Sequence, residues 1–192
     1  MKKILALLIF AVIGILIALN YSPAKKIVEQ RKETVSAQTT AKIIATPDQI
    51  KINSIGVEAL IESVTTDSLG RMDIPKDFRN TAWYSLGAKP GEKGSAVIDG
   101  HVDTPQGEAS VFSRINELKV GDEIEVIDKI GATHTFIVER TKSYDLSQMP
   151  LGDIFTQDTN EKRLNLITCS GVWDKANKMY SSRFVVYAKM RS

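Results

Sequence analysis

The sequence has a single cysteine, only two histidines and little net charge, +2 over 192 residues. Each scarcity excludes something. One cysteine cannot close an internal disulfide, so no disulfide framework holds this fold. Near-balanced charge leaves no basic footprint, and no nucleic-acid partner is expected. A Gly-rich phosphate loop and a zinc-type Cys/His spacing are both missing, so neither a cofactor nor a metal is expected. No internal repeat is visible, and helical signals are few and short.

Long apolar runs are confined to the amino terminus. Met1-Lys2-Lys3 precedes an uncharged stretch from Ile4 to Leu19, which Asn20, Tyr21 and Ser22 extend. That is near the lower limit for crossing a bilayer, ~17–25 residues. Lys2 and Lys3 put this end in the cytoplasm, although Lys25 and Lys26 on the far side weaken the inference. A cleaved signal peptide would have a shorter apolar core and a small-x-small site, and none follows Leu19. Residues 1–22 are therefore read as a signal anchor or transmembrane helix. Residues 23–47, rich in Lys, Glu, Gln, Thr and Ala, read as an extracellular spacer. Residues 48–192 form one domain, ~145 residues and ample for one core.

Within that domain the pattern is short runs punctuated by Gly, Pro, Asn and Asp. Strands are expected at Ile50–Asn53, Val57–Ile61, Ser95–His101 and Asp122–Val126. A hairpin partner is expected at Thr133–Val138, then strands at Leu164–Cys169 and Phe184–Met190. Ala109–Ile115 has room for about two helical turns. Met149–Phe155 forms another, with Pro150 suited to a first turn. Many short strands with short helical inserts predict a mostly-β barrel or sandwich.

The chemistry centres on Cys169, which ends Leu164-Asn165-Leu166-Ile167-Thr168-Cys169. A thiol attacks a carbonyl as its thiolate, which needs a positive neighbour or a base. His101 follows Ala96-Val97-Ile98-Asp99-Gly100, where Gly100 permits close approach of other backbone. It is either a base or a turn histidine bonded to Asp103. His134, beside a hairpin turn, is expected to be an exposed strand residue. Arg183 opens Phe184-Val185-Val186-Tyr187-Ala188. It is either a solvated strand end or the donor that stabilises negative charge on a carbonyl oxygen. Thr168 either positions substrate or is an ordinary β-branched strand residue. Without these roles the thiol is an inert buried cysteine.

Gly100-His101-Val102-Asp103, then Leu166-Ile167-Thr168-Cys169, then Arg183-Phe184-Val185-Val186 resembles the sortases, cysteine transpeptidases of Gram-positive cell surfaces. Ala109 to Arg114, Leu118 to Asp122 and the amino-terminal anchor are similar to that family too. Trp83-Tyr84, Lys89-Pro90-Gly91 and Gly94 to Asp103 look most like its class D to F members. The resemblance implies an eight-stranded closed β-barrel with short helices, preceded by a transmembrane helix, with residues 48–192 as the sortase catalytic domain. It implies that Cys169 cleaves an LPxTG-like sorting motif between Thr and Gly through a thioacyl-enzyme. The acyl group then passes to an amine of a peptidoglycan precursor or another acceptor. His101 would be general acid and then base, and Arg183 would hold substrate and oxyanion. The partners implied are surface proteins with a C-terminal sorting signal, and the location is a single-pass membrane protein with its domain outside. By analogy Tyr144 to Lys162 is a specificity loop. Its Met149, Pro150, Leu151 and Phe155 either line an apolar groove or are core residues of a short helix. Two other readings remain: a membrane-tethered extracellular binding module with an inert thiol, and another cell-wall cysteine peptidase. The papain-like wall peptidases place Cys before His, and the Ser-His-Gly-Cys stretch of L,D-transpeptidases is absent.

Overall fold

The computed structural model describes residues 43–191. The expected anchor and residues 23–42 of the spacer lie outside them. No helix among the described residues is long and apolar enough to cross a membrane.

Eight strands are present: β1 (Pro47–Ile52), β2 (Val57–Val64), β3 (Thr81–Tyr84), β4 (Gly94–Gly100), β5 (Glu123–Asp128), β6 (Thr133–Asp145), β7 (Lys162–Asp174) and β8 (Met179–Met190). They close into a barrel in the order β1-β2-β3-β4-β7-β8-β6-β5. Neighbours are antiparallel except β2 with β3 and β4 with β7. Period-2 alternation turns one face of each strand inward. Ile50 and Ile52, Ala96 and Ile98, Ile124 and Val126, Phe136 and Val138, Leu164 and Leu166, and Val186 and Ala188 fill the interior. Each large side chain buried there contributes ~1.5–3 kcal/mol.

A second apolar cluster lies on the outer face of β4, β7 and β8. Val97, Ile167, Val185 and Tyr187 pack there with Ile154, and Met149 and Phe155 lean against them. This cluster explains why β4 and β7 read as nearly continuous apolar runs, since both faces are covered.

Four sequence expectations need correction. First, Cys169 and Arg183 are not at strand ends. The β7–β8 hairpin runs on to Asp174 and starts at Met179, through polar Ser170, Ser181 and Ser182 that carry no apolar alternation. Likewise β6 continues past Val138, across a register shift, to Asp145. Second, Ala109–Ile115 is not helical. Ala109 bridges Asp103, and only Ile115–Glu117 forms a 3₁₀ turn. The segment instead docks Phe112, fully buried, with its amide bonded to the His101 carbonyl at 2.9 Å. Met149–Phe155 keeps a single α-turn, Leu151–Ile154, which the Pro150 carbonyl caps by accepting from the amides of Asp153 and Ile154.

Third, His134 is not exposed. It is 1% accessible, and its Nε2 donates to Asp128 Oδ2 at 3.1 Å. Asp128 also accepts from the amides of Ala45, Ile130 and Ala132. Burial pushes this carboxyl up, but the hydrogen bonds from His134 and the three amides outweigh burial and hold it low. Gly91 is required above the ring: its φ is +105°, and a Cβ there would fall 2.6 Å from His134 Nδ1. Fourth, the close approach at Gly100 is made by a side chain rather than backbone. A Cβ on Gly100 would lie 2.5 Å from Phe112 Cδ2.

Candidate active site

Cys169 on β7 and Arg183 on β8 are direct cross-strand partners, so their side chains share one face. It is the outer face, because Thr168 and Phe184, one residue away, point toward the interior. His101 arrives from the other side. The parallel ladder between β4 and β7 ends with Asp99 opposite Ile167. His101 and Cys169 each stand two residues further on, with the same outward phase. Thr168 secures this junction: it is 2% accessible and its Oγ1 donates to the Gly100 carbonyl at 2.7 Å. The structure therefore brings His101, just past the end of β4, together with Cys169 within β7 and Arg183 within β8 on one face of three neighbouring strands.

His101 does not bond Asp103. Its Nε2 meets the Pro75 carbonyl at 3.0 Å, and its ring packs on Phe78 with centroids 4.5 Å apart. A carbonyl only accepts, so Nε2 carries the proton and Nδ1 holds the free lone pair. Asp103 instead accepts a hydrogen bond from the Tyr180 hydroxyl. That bond raises Tyr180 to about 12. It also ties the chain after His101 to the β7–β8 hairpin.

Arg183 Nη1 donates to the carbonyls of Ser182 at 2.9 Å and Tyr180 at 3.3 Å. Those bonds fix the guanidinium beside the thiol and leave donors for a ligand. Burial pushes the Cys169 thiol up. Arg183 pulls it down, Asp99 and Asp103 push it up again, and the balance is raised. At neutral pH the resting group is thus the thiol, and attack requires a proton acceptor.

Asp99 is the residue that reading the sequence missed. It shares the outward phase of Val97 on β4, beside Arg183. Part of its surface meets solvent, yet burial raises its carboxyl to about 7, against the opposing pull of Arg183 and the Gly100 amide. An acid in an otherwise apolar strand was the available signal. Below pH 7 Asp99 is protonated and neutral; above it, its charge opposes the thiolate. Asp99→Asn is therefore expected to shift the midpoint of Cys169 alkylation to lower pH, with the two proteins diverging above pH 7. An unchanged midpoint in rates measured from pH 6 to 10 would remove Asp99 from the site.

A cleft of about 350 Å³ opens at Cys169, lined by Val102, Phe112, Thr168, Tyr180 and Phe184 among others. Thr168 reaches it, but its hydroxyl is committed to Gly100. Met149 packs on the outer cluster that includes Ile167, two residues before Cys169 on the same face of β7. Pro150 is half-buried, and Leu151 is 58% exposed and stands off the cluster. Among the described residues no group of three His, Cys, Asp or Glu is arranged to hold a metal.

A closed barrel that sets a lone thiol opposite a guanidinium, with a histidine just past the end of the adjoining strand, describes a cysteine acyl-transfer enzyme. The family model of the sortase domain matches residues 50–191. The chain belongs to the sortase family, whose members are cysteine transpeptidases. Its fold is similar to that of sortase A from Corynebacterium diphtheriae, a lid mutant. Identity there is 20% and the TM-score 0.58, over 80% of this chain and 74% of that one. Sortase A of Listeria monocytogenes matches at 21% identity and TM-score 0.58, over 78% and 89% of the two chains. A Clostridium perfringens sortase D5 transpeptidase matches at 24% and 0.56, over 90% and 91%. Among curated proteins none matches this chain in sequence.

Proposed function

We propose that this sortase is a membrane-anchored enzyme outside the cell, held by residues 1–22, which cleaves an LPxTG-like motif between Thr and Gly. It passes the acyl group to a peptidoglycan-precursor or other cell-wall amine. The carrying observation is the Cys169–Arg183 cross-strand pair beside the His101-bearing end of β4. Cys169 Sγ bonds to the threonine carbonyl carbon while its proton passes to His101. Arg183 donates to the carbonyl oxygen as it becomes negative. The C–N bond then breaks, His101 protonates the leaving glycine amine, and a thioester remains. An incoming amine attacks that carbon, gives its proton to His101, and Cys169 leaves and is reprotonated.

The apolar cluster of Ile167, Val185 and Met149 supports a groove for the motif's Leu and Pro, running toward Cys169. The segment signatures around Trp83, Lys89-Pro90-Gly91 and Gly94 to Asp103 favour class D to F. Incubating the enzyme with a library of sorting peptides and several amines, and weighing the products, tests the proposal. Thioester-dependent transfer to an amine is expected. Absence of any cleaved LPxTG-like peptide would sink it.

The role of Arg183 has its own test. Lysine keeps the charge but loses the planar fork of donors. Arg183→Lys is expected to lose about 10²-fold in kcat, the scale for one oxyanion donor. Recovery of most of the rate would mean that charge alone matters. Near-normal turnover in Arg183→Ala would exclude the residue.

A further inference from the structure

We infer that Glu62 is a positioning residue for His101, acting through the single peptide group between Pro75 and Lys76. The inference rests on the reading of His101 as the acid–base group.

Glu62 lies near the end of β2, half-buried. Its carboxylate accepts from the Lys76 amide at 3.0 Å, the Asp77 amide at 3.2 Å and the Asn80 side-chain amide at 3.0 Å. The Lys76 N–H and the Pro75 C=O belong to one planar trans peptide, so they point in opposite directions. Glu62 holds one end of that unit and His101 Nε2 occupies the other, at 3.0 Å. The order is carboxylate, peptide, imidazole. A negative charge at the N–H end polarises the carbonyl and makes it a better acceptor for the ring N–H.

A catalytic base is commonly oriented by a third group. Among the described residues no carboxylate or carboxamide side chain bonds His101. The orienting atom is a backbone oxygen, and the charge behind it is delivered through the peptide. Pro75 is buried, and the segment carrying it is pinned further by the Phe78 carbonyl, which accepts from the Val111 amide and the Ser110 hydroxyl. The carboxyl itself is ionised. Burial pushes it up, but the bonds from Lys76, Asn80 and Asp77 hold it below the usual range. The relay therefore sets which nitrogen faces the substrate: Nε2 is occupied, and Nδ1 exchanges protons.

The test uses the full-length chain in detergent, labelled with ¹⁵N in its imidazoles, His101 being assigned by its loss in His101→Ala. In the wild type, neutral His101 is expected as the Nε2–H tautomer. Glu62→Ala should yield a tautomer mixture and lower kcat about 10-fold with KM within about twofold. That is the low end of the effect of outer partners that orient metal-binding imidazoles. Glu62→Gln keeps the shape and part of the bonding, and should fall between. Unchanged tautomer and unchanged kcat in Glu62→Ala overturn the inference, as does a rise in KM alone. Should Glu62→Ala fail to fold, the same two readings on Glu62→Gln decide it. Full turnover in His101→Ala, with the tautomer still dependent on Glu62, would leave the orientation standing and remove His101 from the chemistry.

Discussion

Cys169→Ala is expected to abolish both peptide cleavage and amine transfer, a loss of about 10⁴-fold or more in kcat. No other thiol exists to replace it. The fold should survive, because Cys169 sits on the outer face and contributes nothing to the barrel interior. Product masses and circular dichroism check the two halves together. Transfer persisting in this variant would end the nucleophile assignment. Loss of fold with loss of activity would recast the thiol as a packing residue. Serine at the same place should also fail, since nothing near it lowers a hydroxyl into the working range.

His101→Ala is expected to cost about 10²–10⁴-fold in kcat, the span for a general acid–base group. The informative control is the other histidine. His134→Ala should leave kcat near normal but destabilise the domain by about 1–3 kcal/mol, because it leaves the buried Asp128 carboxylate short of one donor. One histidine should therefore move turnover and the other the melting temperature. Equal losses of turnover in the two variants would show that His101 has no special place. The contrast is sharp because the two rings have different surroundings. His101 is half-buried against Pro75 and Phe78, whereas His134 is enclosed beneath Gly91.

Much of this was legible in the sequence because the informative residues lie in strands with clear periodicity. Cys169, Arg183 and His101 were visible as chemistry-bearing residues flanking apolar runs, and seven of the eight strands were at least partly marked by alternation or by a short apolar run. The exception, β3, has only Ala82-Trp83-Tyr84 to announce it. What was lost has physical causes. His134 has the same phase as Phe136 and Val138, which face the core. That phase foretold burial, but the polarity of histidine argued against it and misled the reading. Asp99 flanks His101 in the sequence, yet its outward phase beside Arg183 appears only once β4 is laid against β7. The Glu62 contacts span 14 to 18 residues, most of them irregular chain where no periodicity exists. Backbone acceptors such as the Pro75 carbonyl leave no trace in residue type at all.

The Thr168–Gly100 bond has a wider consequence. It joins the two parallel strands at the level where one releases the candidate base and the other carries the candidate nucleophile. Their lateral separation is thereby tied to the interstrand spacing of a sheet, about 4.8 Å, rather than to loop conformation. A dimension of that kind is inherited from the backbone and is indifferent to sequence drift in the connections. The β6–β7 and β7–β8 connections can then diversify to suit new sorting signals or acceptors without retuning the reaction. The barrel acts as a fixed gauge, and recognition can evolve around it.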